Sequence, residues 1–175
     1  MFPLLLTLSC SQKDACHLCL ASDYNSWSQF RNERVLTKRG SRRMIERLDA
    51  RAIQKISGAT WEQLRDVFFE VSRILLEVSP EAKSELTTIY VKFYTIGIGN
   101  DDYAVVWLRN AKEIVIGLSL RDTFQSSGLG PPPKGTKYKG LTKYLTLRPG
   151  DTIPEEFQDW ALLAFSTSKK ESCHT

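Results

Sequence analysis

Histidine occurs only twice in the 175 residues, as His17 and His174, and both stand close to an end of the chain. A catalytic triad or a histidine-based metal site inside a folded core has almost nothing to draw on. Cysteine is nearly as scarce: Cys10, Cys16 and Cys19 crowd near the start and Cys173 stands near the end, which excludes a disulfide-dense scaffold. Long apolar runs are missing as well. The apolar start, Phe2-Pro3-Leu4-Leu5-Leu6-Thr7-Leu8, has no Lys or Arg before it, and it falls short of the ~20 residues that a membrane span takes. The expectation is a cytoplasmic protein with no membrane partner. What is present is an ordinary globular composition, 42% hydrophobic and 25% charged with 10 Gly and 7 Pro, neither collagenous nor disordered. The length suits one compact domain with an extension, able to bury roughly two thirds of its surface without metal or disulfide staples.

Chemistry-bearing constellations are few. Cys16 and Cys19 have the spacing of half a zinc site, but the other half is missing from the local sequence; Cys173 with His174, or Cys10 with His17, would have to complete it, which needs the two ends of the chain to meet. These two cysteines are the metal candidates, with reduced thiols in a reducing compartment as the alternative. Asp101 and Asp102 fall in a Gly-Asn-Asp-Asp turn, where carboxylates serve backbone turn chemistry. Gly97-Ile98-Gly99 lacks a third glycine and leads into a strand, so it has no helix N-terminus to offer a phosphate. No catalytic residue and no cofactor is assigned, and the reading leans away from an enzyme.

Along the chain, residues 1–40 read as an irregular arm with isolated large apolar residues, among them Trp27 and Phe30. Residues 41–57 read as a basic amphipathic helix, capped by Ser41, with Ile45, Leu48, Ala52 and Ile56 on one face and Gly58 at its end. Residues 58–170 read as an α+β domain and 171–175 as a tail. The domain opens with the clearest helix in the sequence, with a Thr60/Gln63 capping box and Leu64, Val67, Phe68, Val71, Leu75 and Val78 at 3.6-residue spacing, ended by Ser79-Pro80. Alternation predicts strands at 87–95 and 141–147, and two further strands at 103–109 and 113–120 form a hairpin about the short Asn110-Ala111-Lys112 connection. Lys143 marks the last strand as an edge. Phe157, Trp160, Ala161, Ala164 and Phe165 give a closing helix its apolar stripe, after Pro154. The expected fold is therefore α+β, a four-stranded antiparallel sheet packed against a long N-terminal helix and a C-terminal helix, with a basic helical N-terminal extension.

The succession from about 60 to 169 resembles a small bacterial domain of unknown function often labelled a predicted transport protein. The resemblance rests on the long leading helix, the strand Ile89-Tyr90-Val91-Lys92-Phe93-Tyr94, the hairpin over 103–120, the Lys139-Gly140 step and the apolar-aromatic closing helix. It covers about the last two thirds of the chain. It implies an α+β fold and no established reaction; related domains occur alone and fused to nucleic-acid-directed restriction proteins.

Charge is the sharper feature. Between residues 31 and 55, nine positive side chains, including Arg39, Arg42, Arg43, Arg47 and Arg51, stand against three acidic ones, a local +6 that leaves −2 for the rest of a +4 chain. Arg43, Arg47 and Arg51 recur every four residues and would share one helix face, an array of guanidinium groups suited to phosphates. A second basic element, Lys134, Lys137, Tyr138, Lys139 and Lys143, follows a proline-glycine stretch in a loop of about 20 residues, with lysines to hold a backbone and tyrosine to stack a base. Three readings stay open. One is a non-enzymatic binding module whose partner is nucleic acid or an acidic protein surface. Another is a protein-interaction subunit or homo-oligomer. The third is a small-ligand binder or enzyme using a groove between sheet and loop, with Tyr90, Lys92, Tyr94 and Trp107 as lining residues.

Overall fold

The computed structural model describes residues 46–95 and 102–171, the last three of these by backbone alone. The expected arm, the Ser41 cap, Ile45, the turn at 97–101 and the end of the chain after 171 lie outside the described residues. The described residues all belong to one unit, Lys38–Thr175.

Five strands form a meander in chain order, each antiparallel to the next: β1 (Ala82–Leu86), β2 (Tyr90–Thr95), β3 (Asp102–Asn110), β4 (Glu113–Leu118) and β5 (Lys143–Leu147). The sequence predicts four. The additional strand is β1, whose Ala-Lys-Ser-Glu-Leu has only Ala82 and Leu86 as apolar residues, too few to mark a strand; it is an edge strand, held by its ladder with β2 and by Ala82 and Leu86 against the main core. The predicted strand at 87–95 begins only at Tyr90. Thr87 closes the turn before it, its N–H donating to the Tyr90 carbonyl at 2.8 Å, and Ile89 stays 40% exposed instead of joining Val91 and Phe93 in the core.

The predicted continuous helix over 41–57 is interrupted. Glu46 and Arg47 are helical, but Asp49 takes φ −55° and ψ 123° and starts a new helix, α1 (Ala50–Ile56), by accepting the Arg51 N–H at 2.8 Å. Asp prefers this role because its carboxylate replaces a missing backbone acceptor. The other carboxylate oxygen accepts the Leu86 N–H at 2.7 Å, and Arg51, paired with Asp49 at 2.9 Å, donates to the Leu86 carbonyl. The ion pair thus satisfies the open edge of β1. Arg47 and Arg51 do not share one continuous helix face across this break, and Arg43 lies outside the described residues, while Leu48, Ala52 and Ile56 pack into the same core as the sheet.

After a single 3₁₀ turn (Ala59–Trp61), α2 (Glu62–Glu77) buries Leu64, Phe68, Val71 and Leu75 as its 3.6-residue period requires. The Thr60/Gln63 capping box does not form, because the 3₁₀ turn carries Thr60 past the capping position; Trp61 precedes the helix without a side-chain cap. At the other end, Pro80 has no N–H to give to the Leu76 carbonyl. Arg47 takes its place, donating Nη1 to the Leu76 and Ser79 carbonyls at 2.8 Å each, and the buried Tyr103 hydroxyl donates to the Leu75 carbonyl at 2.7 Å. Helix α3 (Phe157–Glu171) lies beside α2 and buries Phe157, Trp160, Ala161 and Ala164. Both helices cover one sheet face, where Val91, Phe93, Val106, Ile116 and Leu145 complete the main core. A β-bulge between β2 and β3 adds Tyr103 to that core and turns Asp102 to the opposite face, level with Tyr94.

Asp49 gives the fold a defined acid sensitivity. The Arg51 guanidinium, against the effect of burial and helped by the Leu86 and Arg51 backbone N–H groups, lowers its pKa from 3.8 to about 2. A depressed carboxylate stabilises the folded state fully above its unfolded pKa, so this contribution is lost as pH falls from about 4 toward about 2. Urea midpoints measured across that window should fall more steeply for the native chain than for Asp49→Asn.

Candidate binding face

Strands β3 and β4 are buried on both sides, so a second hydrophobic cluster lies on the sheet face turned away from the helices. It contains Val105, Trp107, Val115, Leu141 and Tyr144, with Tyr90 and Tyr138 packed against it. Trp107 stands at its centre, its ring 5.9 Å from Tyr90, 5.8 Å from Tyr144 and 6.3 Å from Tyr138. Gly117 makes room for them: a Cβ there would meet Leu141 and Tyr144 at 2.9 Å and Trp107 at 3.0 Å. Tyr144 and Leu141 share this face although their spacing along a strand would separate them, because β5 begins only at Lys143.

The long loop supplies the cover. It touches the main core through Leu120, Phe124 and Leu129, pairs with the outer edge of β5 at Gly130, and crosses to the second cluster with Tyr138 and Leu141. Tyr138 is anchored twice. Its ring meets Tyr90 edge-on at 5.5 Å and its hydroxyl donates to the Asp102 carboxylate at 2.5 Å. Burial, reinforced by that carboxylate, raises its pKa and keeps the hydroxyl a donor. Asp102 therefore serves the loop rather than the turn, and Tyr138 is an anchor rather than a free stacking platform.

Between the loop and the end of the β3–β4 hairpin lies a cleft of about 340 Å³, lined by Trp107, Arg109, Asn110, Glu113, Val115, Pro133, Lys134 and Thr136. Its loop wall is a tight turn. Thr136, 3% exposed, donates its N–H and hydroxyl to the Pro133 carbonyl at 3.0 and 2.7 Å, and Gly135 takes φ +79°. Arg109 Nη1 donates to the Lys134 and Gly135 carbonyls at 3.4 and 3.2 Å, so close to the turn that a Cβ on Gly135 would sit 2.5 Å from it.

The expected site residues divide sharply. Arg47 and Arg51 are held by carbonyls and by Asp49, and Arg39, Arg42, Arg43, Cys16 and Cys19 lie outside the described residues. Among the described residues no cluster suited to a metal ion occurs. Of the expected groove, Tyr90 and Trp107 are in ring contact, but of the four residues only Trp107 lines the cleft. Lys92 pairs with Glu85 at 2.9 Å and lies 5.3 Å from the centre of the Tyr94 ring. Lys134, Lys137 and Lys139 are exposed, Lys143 half-exposed.

The engaged cations are concentrated in the first part of the described chain. Between 46 and 95, Lys55 and Arg65 donate to backbone carbonyls and Arg73 pairs with Glu70 and Glu77, so that of the described cations in this stretch only Lys83 is without a partner. From 102 to 150 there are eight positive residues against three acidic ones. Among the described residues only Arg148 of these eight has an ion pair, with Glu113 at 3.8 Å. Arg109, Asn110, Glu113 and Thr136 are the polar cleft residues that sequence spacing does not pick out. The local excess of charge over 102–150 is legible in the sequence, but it is submerged in the −2 outside residues 31–55.

No family model, no curated protein and no solved structure matches the chain. Among the described residues no helix is long and apolar enough to cross a membrane.

Proposed function

We propose that the chain is a non-enzymatic binding module for nucleic acid or another polyanion, and that it binds through the loop and hairpin that cover the second sheet face. One observation carries this reading: among the described residues the cations from Arg109 to Lys143 have no carboxylate partner, whereas nearly all those between 46 and 95 are used within the fold. Unpaired lysines and arginines on a rigid support release counterions from a polyanion without first breaking internal contacts. Asp102 and Glu113, two of the three nearby carboxylates, are drawn to Tyr138 and Arg148.

The test is retention on heparin and binding of single- and double-stranded oligonucleotides across a salt series. Lys134, Lys137 and Lys139 replaced together by Glu should weaken binding at least about tenfold at low salt and flatten the log–log salt dependence by about 2 to 3. Absence of binding by the native chain even at low salt would remove the reading.

A further inference from the structure

The cleft beside Arg109 has features that a general polyanion surface does not need. Backbone carbonyls of the 134–135 turn hold one nitrogen of the guanidinium, and among the described residues Nε and Nη2 have no hydrogen-bond partner. That free pair is the side-on fork which meets two oxygens of one oxyanion, and the turn carbonyls hold the exposed side chain by its other nitrogen. Lys134 lines the same cleft. Across the hairpin, Asn110 and Glu113 are register partners. The Asn110 Oδ1 is occupied by the Lys112 N–H at 3.1 Å, which leaves its NH₂ to donate, while Glu113 can only accept. A donor beside an acceptor matches the edge of a base that presents an amino group next to a ring nitrogen. Trp107 and Val115 form the apolar part of the lining, and the cleft's volume of about 340 Å³ is within the range of small-ligand pockets.

We infer that this cleft binds a nucleoside monophosphate whose base carries an amino group, with the phosphate on Arg109 and Lys134 and the base edge on Asn110 and Glu113. Two cations face one carboxylate, which Arg148 already shares, so the cleft favours a net anion over a neutral zwitterion such as a free α-amino acid. Gly135 is part of the site, because a side chain there would push Arg109 out of position. The inference does not depend on the polyanion reading, since a single bound nucleotide needs none of Lys137, Lys139 or Lys143.

The experiment is a titration of ¹⁵N-labelled full-length chain with AMP, adenosine, inorganic phosphate and glycine, followed through the Trp107 indole and the amides of 109–113 and 134–136. AMP should shift these signals with a dissociation constant below about 1 mM, while adenosine and phosphate each bind at least about tenfold more weakly. Arg109→Lys, which keeps the charge and loses the fork, should weaken AMP at least about tenfold with the remaining spectrum unchanged. Gly135→Ala, which displaces Arg109 without replacing it, should weaken it too. No shift with AMP, equal binding by Arg109→Lys, or a response to glycine in place of AMP would each overturn the inference. Heparin retention of the same samples reports on the polyanion reading separately.

Discussion

Arg47→Glu should lower the stability of the protein by about 3 to 4 kcal/mol, from two lost charge-assisted hydrogen bonds and a carboxylate placed against a helix C-terminus. Arg47 supplies the donor that Pro80 withholds from Leu76 and reaches Ser79 with the same nitrogen. Removing it leaves partly buried carbonyls without partners, and Glu adds repulsion from the negative end of α2. The loss is a large share of the 5 to 15 kcal/mol typical of a domain. Urea unfolding followed by circular dichroism measures it. The Lys134/Lys137/Lys139→Glu protein should stay within about 0.5 kcal/mol of the native chain, because those side chains are exposed and unpaired. If Arg47→Glu unfolds at the native urea concentration, the contacts at the end of α2 are not what holds that arginine.

Trp107→Ala should cost about 3 to 5 kcal/mol, the range for removing a large buried aromatic side chain. The indole is 3% exposed and meets three tyrosine rings, and Gly117 beneath it cannot fill the space it leaves. The effect extends to function. Tyr138 fixes the loop over the second cluster by packing on Trp107 and Tyr90, so the variant should hold oligonucleotides less tightly even at temperatures where it remains folded. Unfolding curves and low-salt binding on the same samples check both parts; a stable variant with a native salt dependence would show that the cluster does not position the loop.

The parts of this fold that sequence makes legible are those whose pattern is local. The stripe of α2 and the Val91/Phe93 alternation report a single buried face each, and both are found where the period puts them. The β3 segment Tyr103-Ala104-Val105-Val106-Trp107-Leu108 is buried throughout, so alternation is erased by the second cluster and its two faces cannot be told apart from the sequence. Strand β1 is hard to see because only Ala82 and Leu86 of its five residues are apolar, and much of its support comes from the ladder with β2. The engagement of two of the expected arginines is hidden for a related reason. Arg47 and Arg51 look free by spacing, yet their partners Leu76, Ser79 and Leu86 lie 29 to 35 residues away. The helix break between them was signalled by Asp49, a residue made for capping, but the 45, 48, 52, 56 spacing runs straight across it. At the cleft, Gly135 and Arg109 are 26 residues apart, and no local rule joins a turn glycine to a strand-end arginine.

The division between engaged and unpaired cations is tested most directly by mapping where a polyanion touches. The ¹⁵N-labelled chain titrated with a short single-stranded oligonucleotide at low salt should show its largest shifts at Arg109, Lys112, residues 134–139 and Lys143, with Arg47, Arg51 and Arg65 nearly unmoved. Shifts confined to residues before 66, with the loop and hairpin silent, would contradict it.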